Sequence, residues 1–257
     1  MSRVAALIYA LAVYGFIFLP VGVLVLFSFQ ENQVPVPPFN GPSLKWYAAI
    51  LADERVTSGL INSIIVALTS SLVATLTGFL AAWGFARFTL RWSAFWKGLI
   101  TLPLTVSYLI IAMGLLIFFN RIGLPKSLFA VGLGHVVINM PLCFAICLSQ
   151  MTANQANIER AARDLGAKDW QVLALITAPL LAPALFASFF LSFTFSWDEF
   201  VIAFLLTRFD TTLPVEIWNL LRGGLSPKTN AVGSLVFFVS IIFVALFEIF
   251  AFRKRPA

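Results

Sequence analysis

The amino-acid sequence predicts an all-α polytopic membrane protein with six transmembrane helices, and three observations carry that reading. Hydrophobic residues make up 60% of the 257-residue chain and charged residues only 11%, whereas a soluble domain of this size would carry about twice that charged share. Apolar runs near the roughly 20 residues that a span requires recur along the chain between polar breaks. The 27 Phe and 7 Trp suit lipid-facing and interfacial positions better than a small aqueous core. A net charge of +6 on so little polar surface points to cytoplasmic orientation and anionic membrane lipid rather than to nucleic acid.

The spans are expected as one transmembrane domain over 1–257, at about 4–27, 59–85, 98–119, 128–151, 180–206 and 231–252. The first resembles a signal peptide at its start, but it is too long and no small-residue cleavage site follows, so a retained anchor is expected. Residues 28–58 are polar and rich in proline, an exposed loop in which Leu44-Lys45-Trp46-Tyr47 suggests a short interfacial helix. In the second span Gly78, Ala82 and Ala86 fall four apart and form a smooth stripe for close helix packing. A short basic loop, 87–97, leads to the third span, which carries Pro103, Ser107 and Tyr108. The fourth span holds His135, Asn139 and Pro141, together with Cys143 and Cys147 on one face. No acid or histidine beside these cysteines completes a metal site, so they read as packing residues. His135, the lone histidine, reads as a group satisfying a neighbouring helix. Between the fifth and sixth spans, 207–230 reads as a polar loop with Pro214, Gly223, Gly224 and Pro227.

An even number of spans places both termini on one side. With them lie Arg3, Arg87, Arg91, Lys97, Arg160, Arg163, Lys168, Arg253, Lys254 and Arg255, against Lys45, Arg55, Arg121, Lys126, Arg208, Arg222 and Lys228 opposite. The excess of basic residues makes the first side cytoplasmic.

Two polar features interrupt the apolar pattern. The first is a charged island at 157–179, read as two short helices: Asn157 caps the first, Glu159 lies in its first turn, Gly166 ends it and Asp169 caps the second. Its charges alternate in sign, which suits either a solvated face or a partner's surface. The second is Trp197-Asp198-Glu199-Phe200, late in the fifth span. A buried charge there costs about 2.5–3.5 kcal/mol on insertion scales. The acids therefore face water, a bundle interior or a cation, or one reaches the outer interface, and the residues leave these readings open. Adjacent residues project about 100° apart on a helix, so one of the pair at most faces a lumen. Glu248 reads as snorkelling toward Arg253 or Lys254 and is given no role. The sequence holds no phosphate loop, serine elbow or metal-ligand cluster, so neither catalysis nor a cofactor or metal is expected and any energy input comes from elsewhere.

The island resembles the cytoplasmic motif of bacterial ABC importer permeases: Glu-Ala-Ala, three residues, Gly, nine residues, Ile, one residue, Leu-Pro. Ala161-Ala162, Gly166, Ile176 and Pro179 match at that spacing, while Arg160 stands at the Glu position, with Glu159 just before it, and Ala178 at the Leu position. Leu44-Lys45-Trp46-Tyr47, Asn62-Ser63, Ser192-Phe193-Thr194, Asp198-Glu199, Leu213-Pro214 and Ser226-Pro227 with Asn230 are similar to the polyamine-type branch, the second permease of spermidine/putrescine importers. Members of that branch often carry an acid in mid span three, where this chain has Ser107-Tyr108.

The resemblance implies a non-catalytic permease of the inner membrane, with both termini cytoplasmic. Its implied partners are a second permease, usually in a heterodimer, two ATP-binding subunits and a periplasmic substrate-binding protein. It further implies a coupling helix between spans four and five that engages the ATPase through Glu159, Arg160, Ala161, Ala162, Asp164 and Gly166. Asp198, Glu199, Trp197 and Tyr108 are the expected pathway residues, with a small cationic solute such as a polyamine as cargo. The alternatives are an opine-like or amino-acid-derived solute in the same family, or a secondary transporter, which would not need the island and for which inverted halves are not evident.

Overall fold

The computed structural model describes residues 3–224 and 226–252, and every regular element among them is a helix. In chain order these are α1 (Arg3–Ser28), α2 (Lys45–Leu51), α3 (Glu54–Arg87), α4 (Ser93–Thr101), α5 (Tyr108–Arg121), α6 (Leu128–Ser149), α7 (Ala153–Asp164), α8 (Asp169–Val172), α9 (Ala178–Leu180), α10 (Ala182–Trp197), α11 (Val201–Leu206), α12 (Leu213–Arg222) and α13 (Pro227–Phe252). Arg253, Lys254 and Arg255, expected to mark the cytoplasmic end, lie outside the described residues.

Among the described residues, four helices are long and apolar enough to cross a membrane unbroken: Val4–Ser28, Glu54–Arg87, Leu128–Ser149 and Pro227–Ile249. The expected third and fifth spans are bent pairs instead, Ser93–Thr105 with Tyr108–Arg121 at 107° and Asp169–Leu180 with Ala182–Trp197 at 75°. Proline explains both bends, because it lacks the N–H that would continue the ladder and its ring crowds the preceding turn. Pro103 lies in a 3₁₀ turn over Leu102–Thr105, after which Val106 is extended (φ −99°, ψ 139°). Pro183 is the second residue of α10, just beyond the bend at Leu181. The expected loop at 207–230 contains α12, because Pro214 begins a helix where a missing N–H costs nothing rather than marking a turn.

The chain falls into two compact units, Met1–Leu60 with Leu213–Ile242 and Ile61–Thr212 with Phe243–Ala257. In the first, the proline-rich segment after α1 is ordered around fully buried Gln30. Gln30 Nε2 donates to the Pro38 carbonyl at 3.3 Å, its Oε1 accepts from Asn40 N–H at 3.0 Å, and its own carbonyl accepts from Trp46 Nε1 at 2.7 Å. Tyr47 Oη lies 2.8 Å from Ser28 Oγ, so the short helix α2 is fixed to the end of α1. Lys228 Nζ donates to Asp53 Oδ2 at 2.5 Å and ties the start of α13 to the loop before α3.

In the second unit α10 packs on α6, and α11 packs on α5 and α6. Burial of apolar surface does not by itself draw helices together in lipid, so close packing and interhelical hydrogen bonds must do so. Small residues provide the first: a Cβ added at Gly78 would lie 2.7 Å from the Phe144 backbone nitrogen, and Ala82 is fully buried. The second is a polar seam in which Ser188, Ser192 and Ser196 of α10, four residues apart, face α6. There His135 Nδ1 lies 2.6 Å from Ser196 Oγ, Asn139 Nδ2 donates to the Ser192 carbonyl at 3.4 Å, and Cys147 Sγ lies 3.7 Å from Ser188 Oγ.

Candidate functional site

The charged segment starts a turn earlier than Asn157 suggests. Thr152 is the N-cap of α7: its Oγ1 accepts from Gln155 N–H and Gln155 Oε1 accepts from Thr152 N–H, a reciprocal capping box. Asn157 lies exposed within the helix. At the other end Gly166 N–H donates to the Arg163 carbonyl and Ala167 N–H to the Ala162 carbonyl, with Gly166 at φ +92°. That left-handed conformation suits glycine, so Gly166 ends the helix as its sequence position implies. Lys168, not Asp169, is the N-cap residue of α8; Asp169 occupies the first helical position and accepts from Arg163 Nε at 2.9 Å.

Within α7 the residues expected to engage an ATPase separate by face. Arg160, Ala161 and Asp164 are exposed, Ala162 is half-buried and Leu165 is 90% exposed. Glu159 does not share that face, because it is fully buried. Arg87, the last residue of α3, holds both of its oxygens, Nε to Oε2 at 2.7 Å and Nη2 to Oε1 at 3.0 Å. Thr177 Oγ1 donates to Oε1 at 3.0 Å from a π-helical turn over Leu173–Thr177 that links α8 to α9. Desolvation of two charges is costly, and this geometry offsets it with a bidentate fork plus a third hydrogen bond. Sequence reading missed Arg87 and Thr177 as members of this group.

The acidic pair near the end of α10 also divides. The helix stops at Trp197, and Asp198 is exposed while Glu199 is only 6% exposed. Glu199 turns back over the start of α11 and accepts backbone N–H bonds from Val201, Ile202 and Ala203, at 2.8–3.2 Å. A carboxylate is well suited to these unpaired donors at a helix start. His135 Nε2 approaches Glu199 Oε2 to 3.4 Å without the alignment of a hydrogen bond, while its Nδ1 meets Ser196 Oγ, which lies 3.0 Å from Ser70 Oγ.

His135, Ser196 and Ser70 therefore form a buried polar row with Glu199. The lone histidine and the four-residue serine spacing were its signals in the sequence. Trp197, expected on a pathway, is 3% exposed and packs against Phe243 with ring centroids 5.9 Å apart. Tyr108, the first residue of α5, is 37% exposed. Of the four residues expected on a pathway, Asp198 and Tyr108 lie at accessible surface, and Glu199 and Trp197 are turned inward.

Apolar spans joined by a buried polar seam, with a capped polar helix between two of them, define an integral membrane protein. Residues 56–256 match the family model of binding-protein-dependent transport system inner membrane components, and the chain belongs to that family. It is 26% identical to the spermidine/putrescine transport system permease protein PotC of Escherichia coli strain K12, over 95% of this chain and 92% of that protein. It is 31% identical to the putrescine transport system permease protein PotI of the same strain, over 87% of this chain and 82% of the relative. The crystal structure of a bacterial alginate ABC transporter, in complex with an alginate pentasaccharide-bound periplasmic protein, superposes with a TM-score of 0.74 at 18% identity, covering 99% of this chain and 96% of that one. The chain is an inner-membrane permease component of an ABC importer and not an enzyme.

Proposed function

We propose that this chain is one of two permeases, paired as a heterodimer, in an ATP-driven importer that brings a small cationic solute of the polyamine class into the cytoplasm. Two ATP-binding subunits engage the exposed face of α7 around Arg160, Ala161, Asp164 and the Gly166 turn, and a periplasmic binding protein delivers cargo to the opposite side. Both termini lie in the cytoplasm on this reading, in keeping with the excess of basic residues there. Similarity to two polyamine permeases over most of the chain supports the cargo class. The observation that carries it into this molecule is Asp198, an exposed carboxylate at a helix break inside an apolar span. An acid in that position serves an ammonium cargo as transient counter-charge, with the Tyr108 ring as a cation-attracting neighbour on the path.

The test is reconstitution of the chain with its second permease, ATP-binding subunits and binding protein in proteoliposomes, followed by ATP-dependent uptake of radiolabelled putrescine and spermidine. Uptake that requires ATP and the binding protein is expected. A binding protein that instead retains an opine-like or amino-acid-derived solute, with no amine uptake, would overturn the cargo while leaving the importer. A second reading within the family rests on Ser107-Tyr108, which stand where the polyamine branch often carries an acid. Uptake of a singly charged solute in preference to spermidine would favour it.

A further inference from the structure

Given the reading that α7 docks on a separate ATPase, we propose that Arg87, Glu159 and Thr177 form the joint through which movement of α7 reaches the spans. Glu159 and Arg160 are neighbours on one helix and project about 100° apart, which leaves Arg160 exposed and Glu159 fully buried. The helix is thus open to a partner on one side and fastened on the other. The fastening is a single carboxylate shared by two spans. Arg87 grips both oxygens from the end of α3, and Thr177 takes Oε1 from the turn that leads into α9 and α10. Along the backbone, α7 meets its neighbours only through the non-helical stretches at 150–152 and 165–168, which pass a push poorly.

A two-point fork fixes orientation as well as distance, so a rotation of α7 turns the guanidinium with it. The Arg87 side chain is 9% exposed and that of Glu159 0%, which keeps water and salt from exchanging into the contact. A close-packed layer of Phe79, Ala82, Phe144, Cys147 and Leu181 joins α3, α6 and the bend at Leu181. Close-packed layers transmit displacement rather than absorb it. Arg163–Asp169, the other ion pair of the segment, is solvent-exposed and joins only α7 to α8, so it cannot take this part. Arg87, Glu159 and Thr177 are accordingly positioning residues, touching neither cargo nor nucleotide.

The experiment uses the full transporter in proteoliposomes and follows cargo uptake and ATP hydrolysis in parallel. Glu159→Gln combined with Arg87→Gln removes both charges together, so that neither is left alone in the interior, and keeps the exposed face of α7. The expected result is normal ATPase content, hydrolysis within about twofold of wild type and uptake per ATP lower by about tenfold. Arg87→Lys preserves the compensating charge and loses only the fork, and its uptake per ATP is expected to fall by about threefold. Wild-type uptake per ATP in Arg87→Lys overturns the proposal, whatever the double variant does. A parallel loss of hydrolysis and uptake in both variants also overturns it, since the group would then serve folding or docking alone. Failure of the docking reading is separately visible, because the wild-type chain would then recruit no ATPase.

Discussion

Glu159 and Glu199 are both buried beside interruptions in helical structure, yet they are satisfied by different kinds of partner. The carboxylate of Glu159 is held by a guanidinium 72 positions away and a hydroxyl 18 positions away. That of Glu199 is held mainly by the backbone of the next few residues, with only the longer approach of His135 from another helix. The first carboxylate is a fastener between segments and the second shapes its own. By folding back over α11, Glu199 closes a helix start, and the adjoining Asp198 is left exposed. A negative charge does not by its position between apolar helices mark a route for cargo; what distinguishes Asp198 is that its neighbour has taken the local donors.

Substitutions can break this contrast, and the largest effect is expected at the fastener. Glu159→Ala strands Arg87 in the interior and should cost about 3–5 kcal/mol, read as a lower unfolding midpoint of the purified protein, whereas Arg160→Ala one residue on should leave the midpoint unchanged within error. Gly78→Ala strains the α3–α6 layer without altering a charge. Its Cβ would meet the Phe144 backbone at 2.7 Å, and a loss of about 1–3 kcal/mol is expected. Glu199→Gln keeps one acceptor oxygen for α11 and should lower stability by about 1 kcal/mol, with faster hydrogen exchange confined to the amides of Val201, Ile202 and Ala203.

Asp198→Asn is expected to change stability by under about 0.5 kcal/mol while reducing amine uptake, whereas Glu159→Ala lowers stability itself. If uptake survives both Asp198→Asn and Glu199→Gln, the cargo role of this region is lost. A modest effect is expected at Asp53, whose carboxyl the Lys228 ammonium holds below its ordinary value of 3.8. A carboxyl lowered on folding adds stability above its unfolded value and loses it as pH falls through the folded one. Because both side chains are about a quarter exposed, the contribution should stay below about 1 kcal/mol. Asp53→Asn should lower stability at neutral pH by up to that amount, and its difference from the wild type should vanish as pH falls below about 4 and the wild-type carboxyl is protonated.

The four unbroken apolar helices and the end of α7 were legible because their causes are local. An apolar run and a glycine that suits φ +92° can each be read from a few residues. The start of α7 was misread because Thr152 and Asn157 are both good capping types, and only the reciprocal pairing of Thr152 with Gln155 decides between them. The inward turn of Glu159 was hidden for a different reason: its partner arrives from the end of α3, which no local pattern indicates. Half-buried Gln155, Ala156, Ala162 and Arg163 share its helix face, so an inner stripe was there to be seen without its meaning. At the intramembrane site the sequence supplied the lone histidine, the serine spacing and the adjacent acids. It did not say which acid would bend back, since that depends on where α10 stops.

The π-helical turn at Leu173–Thr177 also sets a phase. It inserts extra chain before the final approach to α10, and each residue of a helix advances the face by about 100°. Deleting one residue of α10 ahead of Ser188, with that turn and the bend at Leu181 kept, would move every later side chain back by one place. The positions now held by Ser188, Ser192 and Ser196 would then be filled by Phe189, Phe193 and Trp197. Three aromatic rings would be aimed at His135, Asn139 and the cysteines of α6, and the polar seam would turn toward lipid.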